Sequence, residues 1–85
     1  MWTRESVLEK LESNPNFEQL FEEFDGRFKC AYYDIGGYVI NLFNVGGYPQ
    51  FYLTGIFRRD LDVEGMREFI RIAYEIIMEK IGESN

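Results

Sequence analysis

The chain has 85 residues, is 46% hydrophobic and carries a formal charge of −6, with no histidine and one cysteine. That length allows one small core, with roughly 60% of the unfolded surface buried on folding. Disulfide scaffolds, Cys/His zinc sites and every His-based catalytic constellation are excluded, and the sign of the charge disfavours non-specific binding to nucleic acid or to an anionic membrane.

The charge is unevenly spread. Residues 1–26 hold seven acids and two bases, net −5; residues 27–59 hold four bases and Asp34, net +3; residues 60–85 hold seven acids and three bases, net −4. No apolar run approaches the roughly 20 residues of a membrane span. Met1 to Glu5 show no signal-peptide apolar core, so a cytoplasmic protein is expected.

In chain order, Thr3 is placed to cap a first helix, with Val7, Leu8 and Leu11 as its apolar stripe and Glu5, Glu9 and Glu12 on another side. Pro15 biases Asn14 away from the α region and interrupts this helix. Asn16 and Gln19 then read as a capping box for a second helix, in which Phe17, Leu20, Phe21 and Phe24 repeat at i, i+3, i+4, i+7. Asp25-Gly26 ends it.

Residues 27–57 are rich in Tyr, Phe, Val and Ile and are divided by Gly36-Gly37 and Gly46-Gly47. Each pair predicts a two-residue hairpin turn, because both central positions of a type I′ turn need positive φ. Three antiparallel strands follow, over about 27–35, 38–45 and 48–57. Asp60 or Asp62 caps a last helix running to about Gly82, with Val63, Met66, Phe69, Ile70, Ala73, Ile76, Ile77 and Ile81 as its apolar stripe. The expectation is a single α+β domain, a three-stranded antiparallel meander with helices before and after, in the order α-α-β-β-β-α.

Two-residue turns fix which side chains share a face of the sheet. One face carries Lys29, Ala31, Tyr33, Ile35, Tyr38, Ile40, Leu42, Phe51, Leu53 and Phe57; it is the more aliphatic and claims the helices, with Gly55 admitting a close helix. The other carries Phe28, Cys30, Tyr32, Val39, Asn41, Phe43, Val45, Tyr48, Gln50, Tyr52, Thr54 and Ile56. Either each face is covered by one helix, or the helices share the aliphatic face and the second stays open. A charge-depleted, Tyr-rich face has the composition of a protein interface core and is large for a wet surface patch. It is therefore expected to bind a partner through Tyr32, Asn41, Phe43, Tyr48, Gln50 and Tyr52, most simply as a homodimer.

Chemistry finds little support. Asp60, Asp62, Glu64 and Gly65 match the opening of a calcium loop, but its twelfth position is Arg71, where a bidentate Glu is required. Cys30 has no His to act as its base. The carboxylates lie on helix exteriors in water, whereas acid–base work needs a buried carboxyl. The glycine pairs join strand to strand, unlike a phosphate-binding loop. No enzyme, no cofactor and no metal is expected.

The order helix, three strands, helix resembles the double-stranded RNA-binding domain in topology. That family places a Lys-rich cluster at the start of its last helix, where this chain reads Asp60-Leu61-Asp62-Val63-Glu64-Gly65; nucleic acid is not an expected ligand. In acidity and in a helix followed by a meander the chain resembles type III secretion chaperones, although these are longer, and the resemblance implies an adaptor or chaperone-like role. In size, acidity and helix-meander-helix order it also resembles certain anti-CRISPR proteins. That resemblance implies an alternative, an inhibitor whose Glu5, Glu9, Glu12, Glu22, Glu23 and Asp25 stand in for phosphates and whose binding depends on salt.

Overall fold

A computed structural model describes residues 1–22 and 30–84. The order is α1 (Arg4–Glu12), a 3-10 turn (Glu18–Phe21), β1 (Cys30–Ile35), β2 (Tyr38–Val45), β3 (Tyr48–Ile56) and α2 (Val63–Ser84). This is the expected α+β layout, with a turn in place of the second helix. Four residues make one turn, and the predicted capping box of Asn16 and Gln19 is not formed. Instead the Asn14 side chain accepts the Asn16 N–H at 2.8 Å, which holds the chain in a bend after Pro15. Phe17 and Leu20 are buried and Phe21 is half-buried. Phe24 and the predicted strand residues 27–29 lie outside the described residues.

Thr3 caps α1 in a reciprocal box with Ser6. The Asp62 carboxylate accepts the Gly65 N–H at 2.8 Å and caps α2. The sheet is a meander in the order β1-β2-β3. Its turns have φ of 60° and 88° at Gly36 and Gly37, and 61° and 88° at Gly46 and Gly47, the left-handed values that favour glycine.

Both helices pack on the aliphatic face. The core joins Val7 and Leu11 of α1, Phe17 and Leu20, then Ala31, Tyr33, Ile35, Ile40 and Leu42 of the sheet, and Met66, Phe69, Ile72, Ala73, Ile76 and Ile77 of α2. The Tyr33 hydroxyl donates to the Leu11 carbonyl at 2.6 Å inside this core, and burial pushes its phenol well above the ordinary tyrosine pKa. Trp2 closes α1 onto α2, with its ring edge-on to Phe69 at 5.0 Å and its backbone N–H donating to Glu68. Lys80 of α2 reaches Glu18 at 2.9 Å and lies 5.1 Å from the centre of the Phe21 ring. No helix among the described residues is long and apolar enough to cross a membrane.

Two expectations about β3 are corrected. The register slips between Val39 and Ile40, so Ile40 faces Leu53 and Val39 faces Gly55, with Thr54 as the extra residue. Beyond that bulge the period-two pattern is displaced. Ile56 pairs with Tyr38 and shares its side of the sheet, where uninterrupted alternation places it on the aromatic side. Gly55 lies opposite Val39, and the atoms nearest to an added Cβ belong to Val39, not to a helix. Close approach occurs at Gly36 instead, where a Cβ would overlap the Asp62 carbonyl. The Gly36 carbonyl accepts the Asp62 N–H at 2.8 Å.

Candidate protein interface

The face away from the helices is ordered by strand register into rungs. One rung is Tyr32–Asn41–Tyr52, another Cys30–Phe43–Gln50, and Val45–Tyr48 closes the end at the second turn. All six expected interface residues therefore stand on three adjacent rungs of one surface. Aromatic side chains on neighbouring strands meet there, with Phe43 edge-on to Tyr52 at 5.7 Å.

Exposure separates the tyrosines from the other three residues. Tyr32, Tyr48 and Tyr52 are 57%, 58% and 53% exposed, while Phe43 and Gln50 are half-buried by their neighbours. Asn41, on the central strand between the two tyrosines, is buried, and its Oδ1 has no hydrogen-bond donor among the described residues. A buried amide oxygen without a partner costs about 1–3 kcal/mol. Among the described residues the polar centre of this face is thus unsatisfied. Tyrosines around it offer contact area at low side-chain entropy cost, and their hydroxyls can hydrogen-bond to a partner.

Cys30 is half-buried at the start of β1. Asp34, at the mouth of the first hairpin, lies 3.6 Å from Lys10. Among the described residues no cluster of three or more Cys, Asp or Glu is placed to hold a metal.

The acidic residues fall elsewhere. Glu5, Glu9 and Glu12 are exposed along α1 beside Leu8, which is itself 38% exposed although it was expected in the buried stripe. Glu22 is exposed after the 3-10 turn. Glu23 and Asp25 lie outside the described residues. The sequence pattern missed a second apolar surface at the end of β3, where Leu53, Ile56 and Phe57 are 56%, 63% and 52% exposed. Leu53 and Phe57 fall on the aliphatic face and read as core, while Ile56 reads as part of the aromatic face; the bulge and the end of helix coverage, which are tertiary facts, leave all three exposed. In comparisons with known proteins, no family model, no curated protein and no solved structure matches this chain.

Proposed function

We propose that the protein is a non-enzymatic protein–protein interaction module of the cytoplasm, adaptor-like or chaperone-like, that binds through the aromatic sheet face and self-associates as a homodimer. The observation that supports it is the packing of both helices on one side of the sheet, which among the described residues leaves open a charge-poor face of tyrosine, phenylalanine, asparagine and glutamine, with Asp34 at its end. Such a surface gains by excluding water from its rings and by pairing its amides. A net charge of −6 opposes association at a distance, so contact forms where charge is sparse.

Light scattering on a dilution series at low and high salt tests this. A mass of twice 10.1 kDa that persists at high salt is expected, because apolar contact is not screened. Tyr52→Asp places a charge in the contact and is expected to weaken association by at least ~2 kcal/mol, a hot-spot loss, while circular dichroism stays unchanged. A monomer at every concentration and in both salts overturns the self-association. A basic partner captured at low salt and released at high salt would move the function to Glu5, Glu9 and Glu12, as a mimic of phosphates.

A further inference from the structure

β3 is an edge strand: α2 packs against its start, but among the described residues no strand pairs with its outer side. On the outer side of β1 the Asn14 side chain donates to the Tyr32 carbonyl at 2.9 Å. Among the described residues no side chain, helix or strand hydrogen-bonds to the outer side of β3. Natural edges are protected by charged side chains, by proline and by bulges. From Ile35 to Phe57 the chain has no charged residue, so β3 has the proline and the bulge but no charge.

The free hydrogen-bonding groups follow from the register. Val45 and Tyr48 flank a two-residue turn and form a hydrogen-bonded pair. Antiparallel alternation then turns the N–H and C=O of Phe51 and Leu53 outward. Pro49 also faces outward but has no N–H. At Thr54 the bulge ends the alternation, and the Thr54 hydroxyl turns inward to the Val39 carbonyl at 3.4 Å. The sticky part of the edge is therefore Phe51 to Leu53.

We infer that a second copy of this chain pairs with it there, β3 against β3 in antiparallel, about a two-fold axis at Tyr52. This rests on the self-association proposed above and states its geometry. In this register Phe51 faces Leu53 of the second copy and Leu53 faces Phe51, so both outward N–H and both outward C=O groups of each chain are paired. Centring the pair on Phe51 would put Pro49 opposite Leu53 and leave the Leu53 carbonyl without a donor. Centring it on Leu53 would bring the Thr54 bulge into the ladder. The proline and the bulge thus select one self-complementary register.

Side chains agree with it. Tyr52 lies opposite itself in a non-hydrogen-bonded pair, where rings on one face come close. Leu53 is 56% exposed on the opposite face and meets Phe51, so its exposure ends on pairing. The product is one six-stranded sheet with four helices on one side and the two aromatic faces joined on the other.

Light scattering on dilution of the full chain, with Leu53→Lys and Tyr32→Asp, tests this beside amide hydrogen exchange of the unaltered protein. Leu53→Lys is expected to weaken the dimer at least about tenfold, by the logic of natural edge protection. Tyr32→Asp, on the aromatic face but two strands away from the edge, is expected to weaken it less than Leu53→Lys does. The amides of Phe51 and Leu53 should exchange more slowly as concentration rises. Loss of the dimer in Tyr32→Asp with retention in Leu53→Lys would overturn edge pairing in favour of face-to-face contact and leave the interaction function standing. Concentration-independent exchange at Phe51 and Leu53 overturns it whatever Leu53→Lys does to the fold. A monomer throughout overturns both proposals.

Discussion

The two hairpins share β2 and have nearly the same turn, yet they live in different surroundings. The β1–β2 hairpin is held from three sides. Gly36 binds the Asp62 backbone, Tyr33 reaches into α1, and Asn14 donates to the outer edge. The β2–β3 hairpin has an exposed Gly46 with no atom within 4 Å of an added Cβ, and a strand whose last five residues are exposed. Equal local conformations thus carry different stabilisation, and the weakly covered hairpin is the one with surface left for a partner.

The largest contrast is expected between two residues on the same face. Tyr33→Ala should cost about 3–5 kcal/mol, as for a large core side chain that is also hydrogen-bonded. Leu53→Ala should cost less than about 1 kcal/mol in dilute protein. Chemical denaturation of both variants measures the pair, and equal losses would erase the distinction between the hairpins.

The turns sharpen it. Gly36→Ala and Gly46→Ala share the strain of a left-handed backbone, about 1–2 kcal/mol. Gly36→Ala adds an overlap with the Asp62 carbonyl, which itself accepts the Met66 N–H of the first turn of α2. It should be worse than Gly46→Ala by about 2 kcal/mol, in the range of overpacking, when their thermal unfolding is compared.

The smallest effect is absent at neutral pH. The folded pKa of Tyr33 is raised because burial disfavours the phenolate. The corresponding stability is complete below the ordinary tyrosine value near 10 and is lost as pH rises above it. Stability measured from pH 8 to pH 11 should fall, and Tyr33→Phe should flatten the fall. An equal slope in Tyr33→Phe would place the alkaline sensitivity elsewhere.

Much of this was legible in the residues. Two Gly-Gly pairs located the three strands and their register up to Leu53, and with it the rung of Tyr32, Asn41 and Tyr52. Asp62 and Thr3 marked the two helix starts. Other features depend on contacts far apart in sequence. Phe17, Leu20 and Phe21 have helical spacing, but four residues between Asn14 and β1 settle as a single 3-10 turn, since a short helix does not repay its nucleation. The Thr54 bulge has one cue, the neighbouring Gly55, since a glycine inside a strand often marks a bulge; read instead as room for a helix, it left the side of Ile56 unread. Nor could spacing tell that α1 and α2 lie on the same side of the sheet, the arrangement on which the open aromatic face depends.

The meander has a consequence for the chain as it is made. Each strand pairs with its neighbour through a two-residue turn, whereas the hydrogen bond from Trp2 to Glu68 spans 66 positions. Short loops close at lower entropy cost, so the sheet is competent to form before its cover. α2 follows it and has 22 residues, about one to four seconds of synthesis at ribosomal rates. Until α2 docks, Ile35, Ile40 and Leu42 lack the helix that shields them, and such transiently exposed apolar surface favours aggregation.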